Sequence, residues 1–300
     1  MSDAIKVMAG DAGINYIIDP RLAKWWWGSF DFDGNPIIHE PILNSHWEGM
    51  TVRQGLLRLL KEHNLVLAED PVTSVARITY VNQVPPPVDA SLLAGNTNET
   101  IGDLSLRFPI QFQEVPLTTA LESLARLTGI NYLLDPKIGY GLPGKNGQIK
   151  PEPLLHVRWF GVSPRKALIA LCENYDLSII KAPSTDIFLI RAKDHQLTNF
   201  VDAGLLGSDT NKEPTIQFED VPITTALNSL TRLAGINYAA DSQFGYGLPD
   251  KNGQIKTEPA LSFRFENATA KQAFIAICQN YDLIIVKDAT TGIIRIKPKD

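Results

Sequence analysis

The stretch IQFQEVPLTTALESLARLTGINY occupies residues 110–132, and IQFEDVPITTALNSLTRLAGINY repeats it at residues 216–238. Residues 109–194 align without a gap on residues 215–300, and 48 of these 86 positions are identical. A more diverged copy keeps Gly-Ile-Asn-Tyr at residues 13–16. Self-similarity at this spacing is the mark of a repeat architecture, so the chain is interpreted as three tandem copies of one unit.

The quoted stretch predicts a strand, a helix and a second strand. The short segment 110–112 has strand character, and Gly129 stands where a left-handed residue commonly ends a helix. The second strand is expected over residues 130–135. The helix between the strands is indicated by apolar residues at helical spacing, which are Leu117, Ala120, Leu121, Leu124 and Leu127.

The rest of each copy predicts a strand, a helix and a closing hairpin. A strand is expected over 154–160, and Ser163-Pro164 begins a helix with a hydroxyl N-cap and a proline in the first turn. LSIIKA and IFLIRA then form two closing strands. The predicted fold class is α+β, with three tandem βαββαββ units that each pack two helices against small mixed sheets.

The repeats divide the chain into three domains and two linkers. We expect repeat 1 at residues 1–82, a linker at 83–106, repeat 2 at 107–194, a linker at 195–213 and repeat 3 at 214–300. Aligning Gly13 with Gly235 places Met1 on Ile223, so repeat 1 lacks the first strand. A missing strand leaves an open sheet edge, which is expected to be filled by a linker segment such as 100–106, by a neighbouring chain or by an upstream strand of a longer protein.

Composition narrows the class of partner. The chain has 300 residues, 44% hydrophobic residues and a net charge of −5, which argues against a nucleic-acid ligand because such proteins usually carry a basic face. No apolar run is long enough to suggest membrane insertion, and residues 1–20 lack a signal-peptide layout.

Cys172 and Cys278 occupy one repeat position where Leu60 stands in the first copy, so we predict buried free thiols.

Long Gly- and Pro-rich loops between the second and third strands are candidate binding sites, because loops on a repeated scaffold usually carry specificity. Their turns contain Asp31 and Asp33 in the first copy and Asp250 and Asn252 in the third. Closely spaced oxygen ligands are typical of calcium loops, which makes these four residues weak calcium candidates. The alternative is a tight Asn-Gly or Asp-Gly turn with no metal.

Aromatic residues in the same loops form the candidate partner-binding surface. Three consecutive tryptophans cannot all enter one core, so at least one is expected to be exposed or to cover a neighbouring segment. They could form a platform for a protein partner or a sugar ring, or a plug between repeats. The candidate residues are Trp25, Trp26, Trp27, Tyr140, Phe244 and Tyr246.

The repeated charged residues favour a structural role over catalysis. Glu152 and Glu258 precede prolines, and Arg158 and Arg264 recur in the following strand. We expect these carboxylates and guanidinium groups to form structural ion pairs. An enzyme would need a nucleophile, a base and a stabilising group in one pocket, and the histidines share no position that would supply them. We therefore expect neither catalysis nor a cofactor.

The pattern at 110–132 and 216–238, with Asn-Tyr-Asp-Leu at 174–177 and 280–283, resembles the short amino-terminal domain shared by secretins and TonB-dependent receptors. The resemblance implies a periplasmic or extracellular, non-enzymatic protein-interaction module with two helices between two small sheets. The long Gly/Pro loop is larger than that family's usual connection, and these 300 residues contain no secretin pore segment or receptor barrel.

The sequence thus predicts a non-catalytic interaction and assembly scaffold of the bacterial cell envelope that binds protein partners or itself. One alternative is a filament subunit that assembles by β-strand donation into the open edge of repeat 1. A carbohydrate-binding module is a further alternative.

Overall fold

The structure is a computed structural model that describes residues 1–22, 29–30, 36–37, 47–84, 109–138, 152–194, 212–240, 258–287 and 293–298. Helices and small sheets alternate along these residues, which confirms the predicted α+β class. The helices are α1 (Ser2–Asp11), α2 (Val52–Glu62), α3 (Leu117–Thr128), α4 (Pro164–Asn174), α5 (Ile223–Leu233) and α6 (Ala270–Asn280).

The strands are short and belong to several separate sheets. They are β1 (Tyr16–Ile18), β2 (Ser29–Phe30), β3 (Pro36–Ile37), β4 (Leu65–Glu69), β5 (Ala76–Tyr80), β6 (Ile110–Pro116), β7 (Asn131–Leu134), β8 (Leu154–Trp159), β9 (Leu177–Lys181), β10 (Ile187–Ala192), β11 (Lys212–Pro222), β12 (Tyr238–Ala240), β13 (Ala260–Thr269), β14 (Leu283–Lys287) and β15 (Ile294–Pro298). Short 3-10 turns lie at Val81–Gln83 and Pro136–Ile138.

Each three-stranded sheet is mixed and has the same order. In the sheet β1–β5–β4, β5 pairs in parallel with β1 and antiparallel with β4. The sheet β12–β15–β14 has the same directions, and β7–β10–β9 keeps the same order with β7 and β10 parallel. The hairpin predicted from the two closing strands is confirmed, and its second strand also pairs with the strand that begins at the GINY segment.

The first strand of the second and third copies pairs elsewhere, in an antiparallel ribbon. β6 pairs with β8, and β11 pairs with β13. Both ribbons contain a bulge, where Glu114 and Asp220 adopt positive φ angles of 54° and 51°. Most of the first-copy segment that aligns with β8 lies outside the described residues. The open sheet edge predicted for repeat 1 therefore stays a prediction.

Local sequence signals explain where the helices begin and end. Thr51 and Thr269 each form a capping box with the glutamine three residues later, at the starts of α2 and α6. Ser163 caps α4 as predicted. After α3, Gly129 has a φ angle of 67°, a left-handed conformation that favours glycine. The predicted helix stop is confirmed.

The described chain divides into two compact units. One unit comprises residues 1–128 and 140–177, and the other comprises residues 129–139 and 178–300. In the first unit, one core cluster joins α1 and α2 to the sheet β1–β5–β4 through Ile5, Leu56 and Ile78. In the second unit, Leu133 and Leu189 of one sheet share a core with Phe274 and Ile275 of α6.

The second helices of the first and third copies, α2 and α6, differ in how many of their sides are buried. In α2, the buried residues are Gly55, Leu56, Leu59 and Leu60, which form one apolar side. In α6, all but one of the residues are buried, from Ala270 to Asn280. A helix that is covered on all sides needs a second packing partner, and in the second unit β7 and β10 provide it for α6.

Both cysteines are free and buried, as predicted from their shared repeat position. Cys172 lies in α4 and Cys278 lies in α6. Burial raises the pKa of the Cys278 thiol, because the thiolate would lose its hydration inside the core. Both sulfur atoms therefore lie within packed helices.

Replacing Leu124 with alanine is expected to lower the free energy of unfolding of the first unit by about 2–5 kcal/mol, because the change leaves a cavity at a fully buried position. Leu124 is fully buried in α3, and Leu127 on the same helix is exposed. Chemical denaturation of the full chain measures the effect. Leu127→Ala is the matched control, and a loss under about 0.5 kcal/mol for Leu124→Ala would show that the helix faces are wrongly assigned.

Candidate functional site

The partner-binding and calcium candidates named from the loops lie outside the described residues. They are Trp25, Trp26, Trp27, Tyr140, Phe244, Tyr246, Asp31, Asp33, Asp250 and Asn252. Among the residues that the structure does describe, no group of three or more His, Cys, Asp or Glu side chains is placed to hold a metal ion. The described residues instead bring together a set of repeated polar side chains that were not among the residues predicted to form a site.

The asparagine of the GINY segment holds the backbone of one residue in the next copy, which is Phe160 directly after β8 or Glu266 within β13. In the first unit, the Asn15 amide accepts a hydrogen bond from the Phe160 backbone N–H and donates one to the Phe160 carbonyl, both at 2.8 Å. In the second unit, Asn131 makes the same pair of bonds with Glu266, again at 2.8 Å. One amide bonds both backbone groups of a residue, so this clamp does not depend on which side chain stands there.

A second asparagine, at the end of a helix, forms another hydrogen bond between the same two copies. Asn174, the last residue of α4, donates its amide to the Ile18 carbonyl at 3.0 Å. Asn280, the last residue of α6, donates to the Leu134 carbonyl at the same distance. Both bonds reach the strand that follows GINY in the preceding copy. We call the contacts of copy 1 with copy 2 the first joint and those of copy 2 with copy 3 the second joint.

Large aromatic side chains fill the space between these clamps. Trp159 is fully buried, and its indole Nε1–H donates to the Tyr16 carbonyl at 2.8 Å. Phe265 occupies the aligned position in the third copy, where it is fully buried and stacks on Phe263 at a centroid distance of 4.3 Å. Each joint therefore has an apolar centre with hydrogen bonds at its margin.

A buried arginine in the first joint holds the end of a helix. Arg77, in β5, lies 3.1 Å from the Asp19 carboxylate. Its guanidinium also donates to the carbonyls of Glu173 and Asn174, at 3.2 and 3.1 Å. These carbonyls belong to the last turn of α4, where the backbone acceptors lack intrahelical partners and the helix dipole favours a cation. Arg77 thus recognises a helix C-terminus in the next copy.

The second joint uses an arginine from a different strand position. Arg191, in β10, is fully buried and pairs with the buried Asp135 carboxylate at 3.1 Å. It also reaches Asp282, two residues beyond the end of α6, at 3.4 Å. Arg191 aligns with Thr79 and not with Arg77, which is two residues earlier in the strand. Side chains two residues apart point to the same face of a sheet, so both arginines reach equivalent regions of their joints.

The aspartate partner in the first joint is held in its ionised form. Burial raises the pKa of Asp19, but hydrogen bonds from Arg21, the nearby Arg77 guanidinium and the Thr79 hydroxyl lower it more strongly. The net pKa is lower than the ordinary value for aspartate. The charge of Asp19 is therefore stabilised by the folded structure.

We expect Asp19 to make the first unit sensitive to acid. A carboxyl whose pKa is lowered on folding stabilises the folded state at a pH above its unfolded pKa of about 3.9. This stabilisation is lost as the pH falls through the pKa of the folded state. The difference in unfolding free energy between wild type and Asp19→Asn should therefore shrink as the pH falls below about 4. Urea denaturation at stepped pH measures it, with the exposed Asp3→Asn as control for removal of a charge. A difference that stays constant down to acid pH would contradict the assignment.

The repeated Glu and Arg residues do not form the ion pair predicted from the sequence. Glu152 and Glu258 accept hydrogen bonds from the backbone N–H groups of Thr118 and Thr224, at 2.5 and 2.6 Å. These donors lie in the first turns of α3 and α5, where unpaired N–H groups attract a carboxylate. The arginines interact along their own strand, since Arg264 pairs with Glu266. The predicted ion pair is therefore wrong, because the glutamates bind helix N-termini.

An open groove lies beside the first joint in the first unit, with a volume of about 480 Å³. α1 and the turn after it line one side, and the β6–β8 ribbon lines the other. Val7 and Phe160 both line it and are mostly exposed, and the Arg158 guanidinium carbon lies 4.9 Å from the Phe160 ring centre. Exposed apolar side chains beside a cation are a suitable surface for a protein partner.

Comparison of the chain with protein-family models, curated proteins and solved structures finds no match. None of the helices in the described ranges has the length and apolar character needed to span a bilayer. The functional assignment therefore depends on the joints and the groove.

The sequence contained part of the signal for the joints. Asn15 and Asn131 stand in the repeated GINY segment, and Asn174 and Asn280 stand in the repeated Asn-Tyr-Asp segment. A polar residue retained at an element end indicates a hydrogen bond across elements. The partner could not be named because it comes from the neighbouring copy.

Proposed function

We propose that the protein is a non-catalytic protein-interaction and assembly scaffold of the bacterial cell envelope. The proposed architecture is three tandem βαββαββ copies, the first without its opening strand. The observation that carries this proposal is that both joints use the same two repeated asparagines. These repeated polar side chains form hydrogen bonds between copies, which is a structural role and not a catalytic one.

The buried charges of the joints support a scaffold role in preference to a catalytic one. Asp19, Arg77, Asp135 and Arg191 are buried and form ion pairs with one another or with helix ends. A catalytic acid or base needs access to a substrate and a pKa suited to proton transfer near neutral pH. Charged groups that are enclosed and bonded on several sides instead specify how two copies dock.

The resemblance to the short amino-terminal domain of secretins and TonB-dependent receptors supports a periplasmic or extracellular location. In this proposal the partner is a protein that binds the groove beside the first joint. The net charge of −5 disfavours a nucleic-acid partner. The loop aromatics, from Trp25–Trp27 to Tyr246, extend the proposed binding surface.

Site-specific photocrosslinking tests the groove. A photoreactive amino acid replaces Val7, which is 60% exposed in the groove, or Val81, which is 61% exposed outside it. We expect a defined protein adduct from an envelope fraction for position 7, and a much weaker one for position 81. Equal labelling at both positions, or no protein adduct at position 7, would contradict this placement of the binding surface.

A further inference from the structure

The outer sheet of the third copy retains residues that form the joints elsewhere. Asn237 aligns with the clamping residues Asn15 and Asn131, and Arg295 aligns with Arg77. Asn237 and Arg295 are exposed, whereas Arg77 is buried in the first joint. Arg295 pairs across the sheet with Val286, which is also exposed. The sheet β12–β15–β14 thus presents an apolar and cationic outer face.

The first copy retains the complementary face. In the second and third copies, α4 and α6 and the residues before them are buried in the joints, with Ile169 2% and Ile275 1% exposed. Leu57 aligns with these two isoleucines and is 43% exposed on α2. Met50 aligns with the buried Val162 and Val52 aligns with the buried Pro164, and both are also exposed. The apolar positions of the joint are kept in the first copy, but they are uncovered.

The backbone of this face also has the geometry that the joints use. Gly49 has a φ angle of 70°, and its aligned residue Gly161, which follows the clamped Phe160, has 65°. After the helix, Asn64 has a φ angle of 57°, close to the 54° of Asp176. The turn before α2 and the turn after it therefore have the same backbone conformation as the segments that flank α4 in the first joint.

The charges of the two faces are complementary. Glu62 stands where Asn174 and Asn280 end their helices, and it pairs with Arg58 at 3.1 Å. In the first joint, the helix end meets Arg77, whose aligned residue is Arg295. Docking in the same way would bring the backbone carbonyls of the last turn of α2 to Arg295, with the Glu62 carboxylate on the last residue of that turn. A carboxylate and helix carbonyls are both suitable acceptors for a guanidinium.

We propose that the outer sheet of copy 3 binds the α2 face of copy 1 in a second molecule of this chain, forming a third joint. This contact is separate from the groove and does not depend on the partner proposed above. It joins two different surfaces, so it is heterologous and can continue from molecule to molecule. The protein would assemble head to tail through the joint that already connects its own copies.

Sedimentation velocity of the full chain over a concentration series tests the proposal. We expect the mean mass of the wild type to rise with concentration, beyond that of a dimer. Leu57→Asp blocks the copy 1 face and Arg295→Glu blocks the copy 3 face, and each should raise the dissociation constant by about tenfold or more. Leu127→Asp, an exposed apolar position outside both faces, should associate like the wild type.

Mixing the two blocked variants distinguishes head-to-tail docking from a symmetric contact. Leu57→Asp keeps an intact sheet and Arg295→Glu keeps an intact α2 face, so an equimolar mixture should form dimers and stop there. A wild type that stays monomeric at every concentration would overturn the proposal. So would either variant associating as strongly as the wild type, or a mixture that remains monomeric. Circular dichroism verifies folding, and Met50→Asp replaces Leu57→Asp if that variant does not fold.

Discussion

Replacing Arg191 with methionine is expected to lower the free energy of unfolding of the second unit by about 3–5 kcal/mol, as is typical when one partner of a buried ion pair is removed. Arg191 and Asp135 have fully buried side chains 3.1 Å apart. Methionine fills much of the same space but removes the Arg191 guanidinium from beside the Asp135 carboxylate. The cost therefore comes mainly from an uncompensated buried charge, and guanidinium or urea denaturation of the full chain measures it.

Two further variants test why Arg191→Met lowers the free energy of unfolding. Arg191→Met combined with Asp135→Leu removes both charges and should recover a large part of the stability, because an apolar pair of similar volume is often as stable as a buried ion pair. Arg264→Met removes a half-exposed arginine that pairs with Glu266 at 3.1 Å, and it should cost less than about 1 kcal/mol. Equal losses for Arg191→Met and Arg264→Met would show that the second joint is not closed around Arg191.

Replacing Trp159 with alanine is expected to destabilise the first unit by about 3–5 kcal/mol, the usual range for an aromatic side chain removed from a core. Trp159 is fully buried at the centre of the first joint. The change removes its apolar contacts and also the hydrogen bond from its indole to the Tyr16 carbonyl. Thermal and chemical denaturation, followed by circular dichroism, measure the loss.

Trp159→Phe is the matched control, because phenylalanine stands at the aligned position 265 and is fully buried there. The control keeps an aromatic ring and loses one hydrogen bond, so it should cost about 0.5–1.5 kcal/mol for that bond together with a smaller cavity term. A tryptophan-to-alanine loss no larger than the tryptophan-to-phenylalanine loss would show that the ring does not hold the joint together.

The elements of the fold were largely predictable because their signals are local. The apolar spacing of α3, the hydroxyl caps of α2, α4 and α6, and the glycine after α3 each depend on residues within a few positions. The two bulges with Glu114 and Asp220 at positive φ were not predicted. Their residue types do not distinguish a bulged strand from a regular one, since the bulge depends on the partner strand.

The joints were only partly predictable. Comparing the copies position by position shows the clamping asparagines, but it hides the arginines, because Arg77 aligns with Leu189 and Arg191 aligns with Thr79. The two arginines are equivalent only in space, on one face of a strand. The helix-capping use of Glu152 and Glu258 was hidden for a different reason, since a sequence position does not show which N–H group faces a carboxylate.

By itself, the amino-acid sequence determined the repeat, the order of the elements, the buried position of both cysteines and the retention of an asparagine at two element ends. These properties follow from periodicity and from comparison of aligned residues. Only the tertiary structure decided that a strand after GINY pairs in parallel with the last strand of its copy, and that a helix C-terminus of the next copy meets a buried arginine. Such contacts join residues about 60 to 145 positions apart, and their energy depends on the burial and orientation that folding creates.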